Sequence, residues 1–432
     1  MPLLSGIVPN IRVAVSGTVG ALIFLIPAAS GPGAALGAEH HPATAVQPPA
    51  SIRVVQSTGL FATACVAPGS CTAGGNFGGA GRPIEPMVAT QTHGRWSRGI
   101  PLVLPSNAAA QPYAQVSGLA CRSAGNCVAV GVYQYGKSGN LQAFIATESH
   151  GRWARAFTPR LPANAASPES AGLEGVTCAS DGSCAAVGGY QDSGGNAQAM
   201  VVAKPPSGRW GQATGIALPP DAAANPDALM TGIACHTPGS CVAVGNYSVS
   251  ASRFAAMGAV EVRGAWHQAT QVALPLGAIP STFTSITSIS CPTASQCLGV
   301  GQYAVSATQS RAMVVTESKG RFGRALAITA VPPGASAHPS SYLLGISCRP
   351  SGACFAVGGG RNSAGHSVAM YLVRSGGRWR AAFLTPPDGA TSGQQQLSAL
   401  SAVSCTGKAD CSAVGYYHDR RGASHAEAAS TR

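Results

Sequence analysis

The fourteen cysteines of this 432-residue chain constrain its fold most strongly, because they form a regular series. They fall into pairs whose two members have five residues between them, and successive first cysteines are 56 or 57 residues apart. The pairs are Cys65/Cys71, Cys121/Cys127, Cys178/Cys184, Cys235/Cys241, Cys291/Cys297, Cys348/Cys354 and Cys405/Cys411. Self-similarity at a fixed period is the signature of a repeat architecture. The sequence therefore predicts seven tandem units of about 57 residues.

Each unit contains four segments that are typical of short β-strands. Residues 175–218 show their order as GVTC, the loop ASDGS, CAAVGGY, the loop QDSGGN, AQAMVVA, the turn KPPSG and RWGQATGIAL. Val, Ala, Ile and aromatic residues fill the segments, and Gly, Pro, Ser, Asn or Asp separate them at hairpin spacing. Propeller blades of four antiparallel strands bury both faces against their neighbours. We predict an all-β, seven-bladed β-propeller, with four antiparallel strands per blade, over residues 39–432.

The two ends of the chain are predicted to complete one blade together. The last unit contains a third strand near residues 425–430 but no Trp-bearing fourth strand. The segment ATAVQPP at residues 43–49 resembles ATGIALPP at residues 213–220, so the N-terminal strand is expected to close the last blade. A right-handed parallel β-helix is the main alternative, although its coils are usually shorter. Seven separate disulfide-bonded mini-domains are disfavoured, because no polar linkers divide the units.

The first 38 residues are predicted to be a signal peptide. Arg12 precedes an apolar stretch over residues 13–26, and small residues follow through Ser30 and Ala38. This pattern is typical of an export signal with cleavage between residues 30 and 38. The alternative is an uncleaved membrane anchor. After cleavage, we expect a monomer that is extracellular or associated with the cell wall and has no contact with the membrane.

Export would place the cysteines in an oxidising compartment. Each pair flanks a loop between the first two strands, which brings two Cβ atoms within disulfide distance across a hairpin. We therefore expect one disulfide bond in each unit. Zinc needs four converging ligands, whereas each unit offers two cysteines and no repeated histidine. No metal and no cofactor is predicted.

Two aromatic series recur with the repeat. The first opens the fourth strand at Trp96, Trp153, Trp210, Trp266, Phe322 and Trp379, where a large ring is expected to pack between blades. An arginine precedes five of these rings: Arg95, Arg152, Arg209, Arg321 and Arg378. These arginines are either solvated hairpin tips or a broken basic circle that binds an anion on the face carrying the disulfide loops.

The second series follows each second cysteine by six residues. It comprises Phe77 and five tyrosines, with Gly360 as the exception: Tyr133, Tyr190, Tyr247, Tyr303 and Tyr417. The tyrosines are either inter-blade packing residues or a ring that lines a ligand site on the opposite face. The loops beyond them differ most between units, and variable loops on a rigid scaffold often carry specificity.

No catalytic residue can be nominated. Gly131, Gly136, Lys137 and Ser138 fit a phosphate-loop pattern, but NLQAFIAT follows where a helix would be needed and occupies the place of a third strand. The carboxylates Glu148, Glu174, Asp192 and Glu317 are scattered, so glycoside hydrolysis by a carboxylate pair has no support. The net charge of +12 permits weak attraction to anionic polymers, but no basic run or basic-aromatic pattern indicates nucleic-acid binding.

The turns TESHGRW, KPPSGRW and TESKGRF resemble the Asp-box hairpin of sialidase-like (BNR repeat) propellers. The pattern SC-x5-C-x-AVG-x-Y resembles secreted actinobacterial repeat proteins. Both resemblances imply a propeller. The first also implies glycoside hydrolysis, which in sialidases requires an arginine cluster, a Tyr/Glu pair and an acid.

Whether the chain is an enzyme is left open by these residues. The leading hypothesis is a secreted or cell-wall-associated binding propeller. Its partner would be an extracellular glycan or protein on the face formed by the second-to-third-strand loops and the inter-blade crossings. The rival is an extracellular glycoside hydrolase or lyase of the sialidase-like propeller type, and a structural surface protein without a small ligand is a third possibility.

Overall fold

The computed structural model describes residues 43–52, 54–136, 139–279, 281, 284–391, 397–407 and 410–431. The predicted signal peptide at residues 1–38 lies outside these ranges. The described residues form strands, turns and loops without a helix, so the all-β prediction is confirmed. Within the described ranges, no helix has the length and apolar character needed to span a bilayer.

The strands follow the repeats in chain order. The first repeat contributes β1 (Thr44–Ala45), β2 (Val55–Ala67), β3 (Ser70–Gly79), β4 (Glu85–Thr92), β5 (Arg95–Trp96) and β6 (Ile100–Pro101). The second and third contribute β7 (Gln115–Ser123), β8 (Asn126–Gln134), β9 (Leu141–Ser149), β10 (Arg152–Trp153), β11 (Ala171–Cys178), β12 (Cys184–Gln191), β13 (Ala197–Lys204) and β14 (Thr214–Gly215). The fourth and fifth contribute β15 (Leu229–Thr237), β16 (Ser240–Ser250), β17 (Arg253–Val262), β18 (Ala265–Trp266), β19 (Thr270–Gln271), β20 (Ser285–Thr293), β21 (Gln296–Ala304), β22 (Ser310–Ser318), β23 (Arg321–Phe322) and β24 (Leu326–Ala327). The last two contribute β25 (Ser341–Cys348), β26 (Cys354–Arg361), β27 (Ser367–Ser375), β28 (Arg378–Phe383), β29 (Ser398–Thr406), β30 (Asp410–His418) and β31 (Ser424–Thr431).

These strands form five separate propeller blades and one larger sheet. The five blades have four or five strands each and belong to the second through sixth repeats. The first and last repeats share a nine-stranded sheet, because β2 pairs with β31 in parallel at Ser57 and Ser424. Strand β2 is 13 residues long, against 9 in β7 and 8 in β11, and this extra length brings it to β31. The prediction of seven separate four-stranded blades is therefore corrected to five blades and a shared sheet.

The N-terminal strand joins the last repeat, as predicted. Strand β1 pairs antiparallel with β31, with Thr44 opposite Ala428 and Ala45 opposite Glu427. The pairing continues beyond β1, since the Val46 N–H donates to the Ala426 carbonyl at 2.9 Å. Chain segments about 380 residues apart in sequence thus lie in one sheet.

The first strands of the repeats surround the centre of the fold. Each contacts the first strand of the next repeat, in the cycle β2, β7, β11, β15, β20, β25, β29 and back to β2. Small residues permit this close approach: a Cβ atom added at Gly232 would lie 3.1 Å from the Cα atom of Ser288 in the next repeat. The centre is therefore closely packed by backbone.

Steric constraints explain why the AVG motif of each second strand ends in glycine. Each first strand contains a β-bulge, such as the one between Met230 and Gly232 in β15. A Cβ atom at Gly245, in the neighbouring strand β16, would overlap the carbonyl oxygen of Leu229. The same overlap would occur at the other six equivalent glycines: Gly75, Gly131, Gly188, Gly301, Gly358 and Gly415. Only glycine allows the second strand to lie against the bulge at this point.

Hydrophobic clusters fill the spaces between neighbouring repeats. In one of them, Met230 and Tyr247 of the fourth repeat pack with Val187 and Val201 of the third. An equivalent cluster joins Val414 of the last repeat to Leu60 of the first, so the core continues across the two ends of the chain. Both faces of each repeat are consequently buried, which is the packing that a propeller requires.

Candidate functional site

The predicted disulfide bonds are confirmed in all seven repeats. Each links the two predicted cysteines, whose Cα atoms lie 3.9–4.1 Å apart across a hairpin. No described cysteine is free. Such a disulfide content is typical of an extracellular environment.

The second cysteine of the pair is buried in six repeats. These residues are between 3% and 7% exposed: Cys71, Cys127, Cys241, Cys297, Cys354 and Cys411. The reason is that the second strand lies between two others in its blade, so Cys241 and Cys297 pack into the inter-blade clusters. These cysteines therefore act as core residues and offer no open surface to a ligand.

The first-to-second and third-to-fourth strand turns share one face of the molecule, which we call the disulfide face. The two turns of a repeat are tied directly: the Gly94 N–H donates to the Gly69 carbonyl at 2.9 Å. In the third repeat the Lys204 ammonium makes this link to the Gly182 carbonyl, at 2.9 Å. These bonds hold both hairpin tips at fixed positions.

Arginines project from the third-to-fourth turns. The five predicted arginines, Arg95, Arg152, Arg209, Arg321 and Arg378, are all exposed. The aromatic rings that follow them pack against the inter-blade clusters, as predicted; Trp153 and Trp210 are examples. The sequence pattern missed Arg263, which is exposed at the same turn of the fourth repeat. Its position before Gly264, with Ala265 in the usual arginine position, hid it from a search based on the aromatic ring.

Three glutamates lie beneath these turns, at the ends of the third strands. They are Glu148, Glu261 and Glu317, which pair across the hairpin with Trp153, Trp266 and Phe322. Burial raises the pKa of all three carboxyl groups. The Glu317 carboxylate also accepts the Gly320 N–H at 2.6 Å. Glu317 therefore supports its turn from below.

A cleft of about 600 Å³ opens between the first and last repeats. Its lining includes His93, Trp96, Asp410, Ser412 and the Cys65–Cys71 disulfide. The Ser412 hydroxyl is buried and forms no hydrogen bond with the described residues. The cleft lies beside the end of β31, where Ser430 and Thr431 contribute to its lining.

The second-to-third-strand loops and the inter-blade crossings meet on the opposite face, which we call the loop face. Isolated bridges join them in several repeats, for example Ala165 with Asp192 and Ala390 with Asp419. The Asp192 carboxylate accepts the N–H groups of Gly194 and Asn196, each at 2.9 Å, and so fixes the turn. The Asp419 carboxylate does the same in the last repeat and also bonds to His425 at 2.9 Å.

The five candidate tyrosines are buried beneath the loop face. Their exposed fractions are 0% for Tyr133 and Tyr247, 2% for Tyr303, 4% for Tyr190 and 6% for Tyr417. All five belong to the hydrophobic core, and four of them are members of the inter-blade clusters. This placement corresponds to the packing alternative, because a side chain with both ring faces covered has no open surface for a ligand.

The hydroxyl groups of three tyrosines reach the crossings. Tyr190 donates to the Asn164 amide oxygen at 2.9 Å, and Tyr247 donates to the Asp221 carboxylate at 2.6 Å. The Tyr133 hydroxyl lies 2.8 Å from the Asn107 amide oxygen. Burial raises the pKa of each of these phenols. Sequence reasoning missed Asn107, Asn164 and Asp221, although their constant distance of 26 residues from the tyrosine was a readable signal.

Two residues of the loop face have a left-handed backbone, with a φ angle of 42° at Tyr113 and 40° at Asp227. Each lies two residues before the first strand of its repeat: Tyr113 before β7 and Asp227 before β15. The Tyr113 side chain is 61% exposed. Strained backbone positions of this kind cluster at active sites and ligand clamps.

The residues at the β-bulges surround the centre of the ring. They are Phe61, Ser117, Glu174, Thr231, Thr287, Leu344 and Ser401. The Thr231 and Thr287 hydroxyls donate to the carbonyls of Ile286 and Leu343 in the following repeats, at 2.6 and 2.7 Å. Thr231 and Thr287 thus connect neighbouring repeats.

Glu174 is the single carboxylate among these bulge residues. Burial raises its pKa to about 8, although a hydrogen bond with Ser117 lowers it, and its Oε1 atom has no partner among the described residues. A glycoside hydrolase uses two carboxyl groups on either side of the scissile bond. Of the other scattered acids, Glu148 and Glu317 lie on the disulfide face and Asp192 on the loop face, so the structure does not bring them together with Glu174.

Glu427 is a second buried carboxyl group. It is 0% exposed, and neither carboxyl oxygen has a partner among the described residues. Its place in the third strand is taken by methionine in five other repeats, at Met87, Met200, Met257, Met313 and Met370. Burial raises its pKa to about 8.

The phosphate-loop pattern does not form a nucleotide site. Gly131 lies within β8, and the residues that follow Gly136 lead into strand β9 rather than a helix. Lys137 and Ser138 lie outside the described residues. In the described ranges, no group of three or more His, Cys, Asp or Glu side chains is arranged to hold a metal ion.

No protein-family model matches the sequence, and no curated protein sequence matches it. Among solved structures, a protein of unknown function from Dyadobacter fermentans is similar, with a TM-score of 0.52 and 8% identity over 92% of this chain and 100% of that chain. Trypanosoma rangeli sialidase has a TM-score of 0.47 and 10% identity over 92% of this chain, which spans 60% of the sialidase chain. A Hadza microbial sialidase has a TM-score of 0.43 and 12% identity, over 76% of this chain and 66% of that one. At these identities the likeness to the Dyadobacter protein shows a shared fold and nothing further.

Proposed function

We propose that this chain is a secreted or cell-wall-associated binding propeller whose ligand, a glycan or a protein, contacts the loop face. The single observation that carries the proposal is a division of roles among the residues. The repeated tyrosines and bulge hydroxyls act inside the fold, whereas the residues that differ between repeats lie on the loops of this face. A rigid scaffold that presents variable loops is the usual basis of specific binding.

The proposal includes a ring of seven blades. It is supported by the closed cycle of seven first strands and by the hydrophobic cluster that joins Val414 to Leu60. Apart from β1, which pairs with β31 of the last repeat, the strands of the first and last repeats are joined in the nine-stranded sheet by the single residue pair Ser57 and Ser424. By contrast, β30 and β31 within the last repeat pair over eight residues. We therefore divide this sheet into two blades.

Tyr113 is the residue on which a test can focus. Its ring is 61% exposed on the crossing into the second repeat, and its backbone lies in the left-handed region. An exposed aromatic ring contributes a large contact area to a glycan or protein ligand. Replacement by asparagine removes the ring while tolerating the left-handed backbone.

A glycan array and a pull-down with the oxidised protein would identify ligands, and Tyr113→Asn should then weaken capture. Phe157→Asn is the matched control, because Phe157 is also exposed but lies on the outer strand of the second repeat. The proposal is supported if Tyr113→Asn reduces binding and Phe157→Asn does not. Blank results in both assays, or equal losses in the two variants, would contradict it.

An extracellular glycoside hydrolase or lyase remains the alternative. The observation that favours it is Glu174, whose raised pKa keeps the carboxyl group protonated at neutral pH, as a general acid requires. We prefer the binding function to hydrolysis, because hydrolysis needs a second carboxylate and the other bulge residues around the centre supply none. Hydrolysis of a panel of fluorogenic glycosides that Glu174→Gln abolishes would replace the binding proposal by the enzymatic one.

A further inference from the structure

The disulfide face presents an arc of exposed arginines that no carboxylate of the described residues pairs with. It consists of one exposed arginine at the third-to-fourth turn of each of the first six repeats. These residues, the arginine arc, are Arg95, Arg152, Arg209, Arg263, Arg321 and Arg378. None of them forms an ion pair with a described carboxylate, since the ion pair found in the described ranges joins His425 and Asp419.

Other charges on this face strengthen the arc more than they oppose it. Lys319 is exposed beside Arg321 at the same turn. The glutamates Glu148, Glu261 and Glu317 lie beneath the turns rather than on them, and burial raises the pKa of each carboxyl group. The exposed Asp181 is the opposing charge in the third repeat, because hydrogen bonds from the N–H and hydroxyl groups of Ser183, at 2.9 and 2.7 Å, lower its pKa and keep it ionised.

The geometry selects an extended ligand. The six arginines belong to six different repeats, so a small anion can contact at most a few of them. A chain with anionic groups along its length can contact them in sequence. The aromatic rings behind the arginines are packed into the inter-blade clusters. Val262, beside Arg263, is the one large hydrophobic residue exposed at the described turns, so the face offers little apolar surface to insert into a membrane.

We infer that the disulfide face binds a linear polyanion along the arginine arc. The guanidinium group is permanently charged and binds phosphate or carboxylate oxygens through paired N–H donors. Rigid turns hold the six groups in place, because hydrogen bonds such as Gly94 to Gly69 tie each pair of turns together. This surface is separate from the loop face, so the inference goes beyond the proposed function and is tested independently of it.

The test measures binding of the oxidised protein to long-chain polyphosphate, poly-L-glutamate and phosphatidylglycerol vesicles by fluorescence anisotropy or sedimentation at several salt concentrations. The arc variant carries Arg152→Gln, Arg209→Gln and Arg321→Gln. The control carries Arg253→Gln, Arg311→Gln and Arg361→Gln, which remove the same charge from exposed positions at the loop-face ends of β17, β22 and β26.

We expect binding to at least one of the two polymers, the tighter of which identifies phosphate or carboxylate as the preferred group. The arc variant should lose about tenfold or more in affinity and about three units of salt-dependence slope, one for each contact removed. The control should keep its affinity within about twofold, as expected for charges that the polymer does not touch. Equal losses in the two triple variants, binding to vesicles alone, or no binding to either polymer would each overturn the inference.

Discussion

The hydroxyl group of Tyr247 donates a 2.6 Å hydrogen bond to the carboxylate of Asp221, which lies 26 residues earlier on the crossing between two repeats. The phenol ring is fully buried, whereas Asp221 is exposed on the loop face. The bond therefore links a core residue to a surface segment that has no regular secondary structure. Tyr190 and Asn164 form the same link one repeat earlier.

Replacement Tyr247→Phe is expected to lower the free energy of unfolding by about 1–2 kcal/mol, because a charge-assisted hydrogen bond is lost while the ring stays packed. Urea unfolding followed by fluorescence would measure the change. Asp221 can be solvated once its partner is gone, so the loss should remain at this modest level.

The matched control is Tyr303→Phe. Tyr303 is 2% exposed at the equivalent position of the next repeat, but Gly277 occupies the place of Asp221, and no described residue bonds to its hydroxyl group. Removing this hydroxyl should change the stability by no more than a few tenths of a kcal/mol, roughly. Equal losses in the two variants would show that the Tyr247–Asp221 bond contributes nothing specific.

The glycine of the AVG motif provides a steric test of the central packing. Gly245→Ala would place a Cβ atom against the Leu229 carbonyl, which belongs to the paired backbone and cannot move aside. We expect a loss of about 3 kcal/mol or more, or failure to fold. Gly211→Ala is the control, because its Cβ atom would meet its nearest neighbour, the Ala203 carbonyl oxygen, at an ordinary 3.5 Å. Thermal unfolding of both variants would distinguish a specific clash from a general loss on replacing glycine.

The repeat, the disulfide pairing and the N-terminal strand could be predicted because each leaves a mark in the sequence. Cysteines with five residues between them fit a tight hairpin, and the likeness of residues 43–49 to residues 213–220 indicated the partner of β31. The blade count could not be predicted in the same way. The bridge between Ser57 and Ser424 depends on the extra length of β2, which no repeat-based pattern contains.

The position of the tyrosines illustrates a second limit. Alternation along a strand assigns a side chain to one face of a sheet, but in this fold both faces of each blade are buried against neighbours. The pattern therefore could not decide whether Tyr133 lines a ligand site or packs in the core, where the structure places it. The burial of Cys127 and its equivalents has the same origin. Glu427 was missed although the sequence carried a signal: it lies 16 residues after Cys411, as Met370 lies 16 residues after Cys354.

Closure by the N-terminal segment can be tested at Val46. This side chain is 3% exposed in the cluster that joins the first and last repeats. Val46→Asp would bury an uncompensated charge there, so we expect a loss of about 3 kcal/mol or more. Val54→Asp, at a position that is 63% exposed, should leave stability nearly unchanged. If the two variants melt at the same temperature, the segment before β2 does not contribute to closing the ring.

Glu427 makes stability depend on pH in a predictable direction. Burial raises its pKa from the ordinary 4.5 to about 8 in the folded protein. Between these two values the folded state retains a proton that the unfolded state has released. The free energy of unfolding must therefore fall as the pH rises from about 4.5 to about 8 and level off above that. Glu174 has the same sign, since its pKa is also raised to about 8 by burial.

Replacement Glu427→Met, which restores the residue of five other repeats, should remove this contribution and stabilise the protein most above pH 8. The shift corresponds to at most about 5 kcal/mol at alkaline pH, with a smaller difference near pH 4, where the carboxyl group is neutral in both states. Denaturation of both proteins between pH 4 and 9 would measure it, with Asp388→Asn as a surface control that removes the same charge. Because Glu174 remains in the variant, part of the pH dependence should persist. If the free energy of unfolding depends on pH as steeply in Glu427→Met as in the unsubstituted protein, the prediction is wrong. That result would mean that water or a rearranged partner solvates the Glu427 carboxylate, so that its charge is tolerated in the core.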